Sequence, residues 1–373
     1  MSWWSGVEHH ADETSSRPST MRRARLVVLI VALAGSSIAL GAVGRGSHVG
    51  PSPVSLASTS SSRYAIGATV PALKLSRLQM LSARVGVGVV ADVTSSGRLL
   101  RGYLVRTDDG GTSWRVTGTF PRGVYPWTTA FVSPRVGYAI DSTGALYTAD
   151  AGRTWAAVTT SGGPLSITVR GHVAWLVVER CRHDAMNEPC ATKLDVYDVG
   201  ARAPTSVASV PRDQAFVSQI GPSSGYVFGS GGSGDQVFAT VDDGRTWHGI
   251  ASPCRTGISG GVAVSSTHLL VSCGVASSTL YVSVDGGATW QRRNAPPGGG
   301  FNVASGSTGV YCWQFGATLW ESHDAGRTWQ PVTNVRLGPS GNIVTYGVHD
   351  AWHAVPGHGI YRTTNGITWT LVR

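Results

Sequence analysis

Lysine and glutamate are nearly missing from this chain. Lys74 and Lys193 are the two lysines among 30 basic residues, and the five glutamates are Glu8, Glu13, Glu179, Glu188 and Glu321. Charged residues make up 14% of the 373, and no stretch after residue 75 has the apolar spacing of a long amphipathic helix. A coiled coil or a salt-bridge-laced helical bundle is therefore excluded. The net charge of +9 is almost all arginine, and its one dense run is Arg22-Arg23-Ala24-Arg25. Nothing in that distribution reads as a nucleic-acid tail. No phosphate loop, nucleotide fingerprint or Ser-His-Asp order is present, so no cofactor is expected. The five cysteines include no CxxC, which argues against a thiolate metal centre. His349, His353 and His358 cluster near the C-terminus, but Asp350 is the one acidic residue beside them, and they read as surface histidines.

Glycine (49) and tryptophan (13) are plentiful, as short strands joined by tight turns require. They recur in a pattern. Thr240-Val241-Asp242-Asp243-Gly244-Arg245-Thr246-Trp247 reads S/T-x-D-x-G-x-T-W, and good copies lie at 107–114, 148–155, 283–290 and 322–329. The paired acids and tryptophans are Asp109 and Trp114, Asp150 and Trp155, Asp242 and Trp247, Asp285 and Trp290, and Asp324 and Trp329. A worn copy at 196–203 keeps Asp198 and Gly200 without a tryptophan; another at 362–369 keeps Trp369 with Thr364 in the acid's place. The copies end at 114, 155, 203, 247, 290, 329 and 369, steps of 39 to 48 residues. A period near forty with strand-like spacers predicts an all-β, seven-bladed propeller of four-stranded antiparallel blades over 75–373. Within each copy the Asp and hydroxyl side chains cap turn N–H groups. The glycine supplies positive φ, and the tryptophan anchors the hairpin. The boxes are thus structural staples.

These residues resemble the Asp-box, or bacterial neuraminidase repeat, superfamily over roughly 75–373. Its members include sialidases, xyloglucan hydrolases, sortilin-type receptors and photosystem II assembly factors. The resemblance implies the propeller fold and ligands on the face opposite the boxes; it does not fix a function. A sialidase would bring an Arg-Ile-Pro tripeptide, an arginine triad and a tyrosine–glutamate pair. The tripeptide is absent, and Glu321 falls inside a box. Glycoside hydrolysis needs two facing carboxylates, and those outside boxes are Asp92, Asp141, Glu179, Asp184, Glu188, Asp195, Asp213, Asp235 and Asp350. No catalytic residue is assigned. The expectation is a non-catalytic binding or assembly scaffold, with a glycosidase and a sortilin-like receptor as alternatives.

Arginines recur between blades: Arg122, Arg212, Arg255 and Arg336 follow their box ends by seven to nine residues, and Arg293 follows by three. Guanidinium forks suit carboxylates and phosphates, so these five are the candidate patch for a protein or anionic glycan or peptide partner. The assembly factors are similar in carrying an arginine patch that meets an acidic segment. Tyr125 and Trp127, in the first inter-blade loop, are candidate anchors, as are Trp313-Gln314-Phe315 in blade six.

The N-terminal region divides into a tail (1–20), an apolar segment with basic flank (21–44), and a Ser/Gly/Pro-rich linker (45–74). Residues 26–43 carry no charge and span about 27 Å as a helix, enough for a bilayer core. They read as a transmembrane anchor or a signal peptide cleaved near Ala39-x-Gly41 or Ala42-x-Gly44, with Met1 or Met21 as start; either places the propeller outside the cytoplasm. The linker's apolar end, 64–70, could add a strand to the ring. For the cysteines, Cys181–Cys190 and Cys254–Cys273 are the favoured pairs, with Cys273–Cys312 as the rival to the second.

Overall fold

The computed structural model describes residues 63–373 apart from 95–98, 181–189, 212–214, 230–235, 256, 275–278, 295–301, 305–310, 316–317, 334, 336–341, 347–349, 356, 366 and 373. The candidate anchor at 21–44, the tail and most of the linker lie outside them. Among the described residues no helix is long and apolar enough to cross a membrane.

Seven four-stranded antiparallel sheets follow one another along the chain. Blade one is β1 (Leu75–Met80), β2 (Gly86–Val93), β3 (Leu99–Thr107) and β4 (Arg115–Thr119). Blade two is β5 (Thr128–Phe131), β6 (Gly137–Asp141), β7 (Gly144–Thr148) and β8 (Ala156–Val158). Blade three is β9 (Gly163–Arg170), β10 (Val173–Arg180), β11 (Ala191–Asp198) and β12 (Ser206–Ser209). Blade four is β13 (Ala215–Gln219), β14 (Gly225–Gly229), β15 (Gln236–Thr240) and β16 (His248–Ala251). Blade five is β17 (Ile258–Ala263), β18 (Leu269–Cys273), β19 (Thr279–Ser283) and β20 (Gln291–Arg293). Blade six is β21 (Asn302–Ala304), β22 (Tyr311–Phe315), β23 (Thr318–Ser322) and β24 (Gln330–Pro331). Blade seven is β25 (Asn342–Tyr346), β26 (Asp350–Val355), β27 (Gly359–Thr363) and β28 (Thr370–Val372). The expected propeller and its blade count stand.

Such blades bury both faces, so their second strands are apolar on both sides. β6 and β14 are buried throughout, and so is β18. Up-and-down order puts the first-to-second and third-to-fourth strand turns, boxes included, on one face. The second-to-third turns and the inter-blade loops lie on the other, called here the loop face.

Between blades, cores alternate with polar stitches. Gln79 on β1 donates to the Phe131 carbonyl at 3.0 Å and accepts the Phe131 N–H at 2.8 Å. The Thr168 hydroxyl donates to the side-chain amide oxygen of Gln219, joining blades three and four, and the Tyr226 hydroxyl donates to the Ser266 backbone carbonyl, joining four and five.

Ring closure uses the N-terminal segment. Gly67 N–H donates to Val116 O, Val70 N–H to Trp114 O, and Val116 N–H to Ala68 O, so 67–70 runs antiparallel beside β4. Val70 is buried with Trp114 and Trp352, and the short 3-10 turn Ala72–Lys74 rests against β26 and β27. Residues 64–74, taken in sequence as the end of a linker, thus belong to the ring. The reason is apolarity: Tyr64, Val70 and Ala72 join the core shared by blades one and seven. The added strand lies on blade one, and Trp352 completes the seam by donating its indole N–H to Gly110 O at 2.9 Å.

Two glycines separate packing from backbone freedom. A Cβ on Gly118 would stand 2.1 Å from the backbone of Gly152 in the next blade, whereas at Gly123, φ +83°, it would meet nothing. Gly118→Ala should therefore cost about 2 kcal/mol or more by overpacking, and Gly123→Ala about 1 kcal/mol through its left-handed φ. Urea denaturation of both variants checks this; equal costs would mean that the first two blades do not meet at this glycine.

Candidate functional site

The boxes form one side of the molecule. In all five good copies the leading hydroxyl donates to one Asp oxygen and accepts the glycine N–H, while the next Ser or Thr donates its N–H and its hydroxyl to the two Asp oxygens, at 2.5–2.9 Å. The N–H and hydroxyl of Thr246 hold Asp242 down at about 2, and the hydroxyl and N–H of Thr289 do the same to Asp285. Hydrogen bonds to the ionised form produce this shift. Two successive residues, not only the glycine, take positive φ: Ala151, Asp243 and Ala325 precede their glycines at φ 63°, 60° and 59°.

The box tryptophan reaches further than its own hairpin. Trp155 donates to Thr119 O, Trp247 to Ser209 O, Trp290 to Ala251 O and Trp329 to Asn294 O, each carbonyl on or just beyond the outer strand of the preceding blade. Trp369 donates to the Glu321 carboxylate of blade six. Trp114 turns instead to its own Gly111 O. The expected staple thus also clamps successive blades.

The worn copies differ from expectation. In blade three Val196 replaces the leading hydroxyl, so Asp198 has no such partner. The turn is made by Ala201 N–H to Asp198 O and Thr205 N–H to Val196 O, with Gly200 N–H donating to the Tyr138 hydroxyl. Asp198 is no box acid. In blade seven the box is one residue shorter: Asn365 takes the acid's role, accepting from the Thr363 hydroxyl and from the N–H groups of Ile367 and Thr368. Thr364 was the wrong register, and Thr-x-Asn-Gly before Trp was the available signal.

On the loop face, Arg122 is exposed in the turn 121–124, closed by Val124 N–H to Pro121 O. Arg255 is exposed beside Cys254, whose disulfide to Cys273 (Cα–Cα 5.2 Å) pins that loop to the end of β18. The favoured pairing is thus the observed one. Cys190 is also disulfide-bonded; Cys181 lies outside the described residues, as do Arg212 and Arg336. Arg293 does not belong to the patch. Its guanidinium donates to Ala325 O, in the blade-six box turn, at 3.0 Å, because three residues past the tryptophan the chain is still on β20 rather than in a loop. Arg122 and Arg255 stand three blades apart, about 150° around a seven-fold ring, and do not converge.

Tyr125 and Trp127 are half-buried seam residues rather than exposed anchors. Tyr125 donates to the Ser76 hydroxyl and packs with the core of blades one and two. Trp127 packs on the core of blades two and three, and its carbonyl accepts from half-buried Arg77 at 2.8 Å. Trp313 and its neighbours lie on β22, with side chains outside the description. His353 is buried on β26 and His358 is exposed, so they do not form one surface cluster; His349 lies outside the described residues.

Of the described carboxylates outside the boxes, Glu179 is half-buried near the loop-face end of β10, and the other four are engaged. Asp92 pairs with Arg63 at 3.2 Å. Asp141 accepts the N–H and hydroxyl of Thr143. Asp195, fully buried, accepts the N–H and hydroxyl of Ser161. Asp350, at the box-face end of β26, pairs with Arg362 at 3.3 Å. Asp184, Glu188, Asp213 and Asp235 are outside the described residues. Among the described residues no group of three metal-ligating side chains gathers.

Solved structures share this architecture. A structure of YCF48 bound to a D1 peptide superposes with a TM-score of 0.54 at 16% identity, covering 83% of this chain and 98% of that one. YCF48 from Cyanidioschyzon merolae gives 0.55 at 15%, over 81% and 99%. A puromycin-hydrolyzing peptidase of Mycobacterium tuberculosis gives 0.52 at 11%, over 83% of this chain and 56% of that one. At these identities the likeness is one of fold. No family model and no curated protein matches the sequence.

The depressed box acids have a pH signature. Their folded pKa lies below the unfolded value of about 3.9, so their contribution is complete above that value and is lost as pH falls towards about 2. Asp285→Asn should lower the melting temperature at pH 7, and the gap to the native protein should narrow between pH 4 and 2. A gap of constant size would show that the charge on Asp285 carries none of the effect.

Proposed function

We propose that this chain is an exported propeller of the Asp-box class, held or delivered outside the cytoplasm by residues 21–44, whose loop face binds a protein partner and performs no chemistry. The observation that carries this reading is the state of the loop-face side chains. Asp92, Asp141 and Asp195 are each tied to structural neighbours, while Arg122 and Arg255 stand exposed in loops of fixed shape. A pair of carboxylates poised for glycoside hydrolysis needs the opposite: acids free to reach a sugar from two sides. Exposed guanidinium groups suit carboxylates of a protein or an anionic glycan.

Two further facts support the reading. The disulfide between Cys254 and Cys273 suits an oxidising compartment. A ring of the same fold, YCF48, has been seen with a D1 peptide bound, which supports peptide recognition as a use of this architecture.

Crosslinking with mass spectrometry in the native host tests the proposal, alongside a panel of fluorogenic glycosides that includes sialosides. Crosslinks from the inter-blade loops to a protein, with no turnover, are expected. Turnover abolished by one carboxylate-to-amide change would replace the scaffold with a glycosidase. Crosslinks confined to the box face would move the binding surface to the other side of the ring.

A further inference from the structure

One joint of the ring is open at its outer end. Entering blades two, four, five and six, the box indole reaches a backbone carbonyl of the preceding blade, and entering blade seven it reaches Glu321. Entering blade one it does not, because Trp114 is buried with Val70 and bonds its own Gly111 O. At the box-face mouth of that joint lies an open cleft of about 500 Å³, between Thr112 of the blade-one box and Thr364, Asn365, Thr368 and Thr370 of blade seven. Leu371 and Val372 on β28 give it an apolar side.

Arg362 on β27 completes the lining and is fixed by its neighbours. Its guanidinium lies 5.0 Å from the centre of the Trp352 ring, a geometry that favours a cation. Nη2 donates to Asp350 at 3.3 Å. Nη1 takes space that a side chain fills in other boxes. Blades two, four and six have Ala151, Asp243 and Ala325 where blade one has Gly110, and a Cβ on Gly110 would stand 2.5 Å from Nη1. Asp350 does not satisfy the whole fork, since Nε is buried without a hydrogen-bond partner. The Arg362 side chain keeps 25% of its surface, so a ligand in the cleft can reach the guanidinium.

The donors beside it are unspent. Asn365 accepts from Thr363, Ile367 and Thr368 through Oδ1, which leaves its amide N–H groups free to donate. The Thr364 and Thr368 hydroxyls donate to no group among the described residues. Thr112 and Thr370 already donate, to the Asp109 and Arg362 carbonyls. Each good box sets an ionised carboxylate at the acid position, whereas blade seven sets a neutral amide there. The nearest box acid of blade one, Asp109, is capped by Thr107 and Ser113. Free donors around a fixed guanidinium suit a ligand that carries negative charge and only accepts.

We infer that this cleft binds a phosphate or sulfate ester, its oxygens on Arg362, Asn365, Thr364 and Thr368 and its organic part against Leu371 and Val372. A neutral saccharide donates as well as accepts and makes poorer use of such a donor set. The cleft is on the box face, so it is independent of what the loop face binds.

The test is isothermal titration calorimetry on the full chain, with phenyl phosphate, phenyl sulfate, inorganic phosphate and phenyl glucoside as probes. Both anionic esters should bind, more weakly as salt rises. Inorganic phosphate should bind several-fold more weakly, having no contact with Leu371 and Val372, and the glucoside should not bind. Asn365→Asp keeps the acceptor that shapes the turn, so the melting temperature should not fall, yet it restores the box charge and should weaken ester binding about tenfold or more. Thr364→Val should weaken it several-fold, and Arg255→Glu, on the other face, should leave it within about twofold. Ester binding unchanged by Asn365→Asp, or matched by the glucoside, overturns the proposal. Inorganic phosphate binding as tightly as its ester overturns the role of the apolar side and with it the ester. None of these outcomes bears on the loop-face reading, which its crosslinks decide.

Discussion

The hydrogen bond from a box indole to the outer strand of the preceding blade is the contact on which the ring depends. A four-stranded blade cannot bury both apolar faces alone, so it is stable only between neighbours. Face-to-face packing of flat sheets is poorly directed, and a single N–H aimed at one carbonyl fixes the offset. The aim comes from the box: the Asp carboxylate draws in the N–H and hydroxyl just before the tryptophan, and this sets the direction in which the ring leaves the turn. A local cap thereby becomes a joint between blades. Where the tryptophan is lost or bonds within its own turn, another polar stitch takes over. The Tyr138 hydroxyl meets Gly200 between blades two and three, and Trp352 meets Gly110 where the last blade returns to the first.

That last joint shows what closure costs a chain of this topology. No strand is exchanged between first and last blades, because each keeps its four strands in sequence order. The seam is filled by 64–74 instead, which pairs with β4 and packs against blade seven. Trp114, covered by this segment, is wholly buried and bonds within its own turn. The residues ahead of blade one therefore do not merely lead into the ring; Tyr64, Val70 and Ala72 are part of the core that closes it.

Much of this was legible in the sequence because the box is a local device. Turn, hydroxyl, acid, glycine and tryptophan lie within eight residues, and their spacing gives both the strand pairs and the blade count. Reading failed where geometry depends on something outside that window. Asn365 does an acid's work in a turn one residue shorter, which spacing from Trp369 misassigns. Asp198 has the right spacing but no hydroxyl at Val196 to bridge. Counting forward from a box cannot tell whether a residue has left the outer strand, so Arg293 was placed in a loop while it lies on β20 against the next box. Tyr125 and Trp127 have the composition of surface anchors, yet a loop that turns inward between two blades uses the same residue types to fill the seam.

The loop face was less legible because its strands and loops vary from blade to blade, which no single repeat encodes. Five residues of second strand are enough to make a blade, as β6, β14 and β18 show. The three additional residues of β2, counted from the residue opposite its box (Gly86 with Thr107, against Gly137 with Thr148), end on Val93, which is 48% exposed, while each still loses backbone freedom worth about 1–2 kcal/mol on ordering. Such extensions are not explained by the stability of the ring. They also break the symmetry of its loop face, where the boxes on the opposite face repeat almost unchanged from blade to blade. The side that repeats holds the ring together; the side that varies is where selection for a partner can act without disturbing the joints.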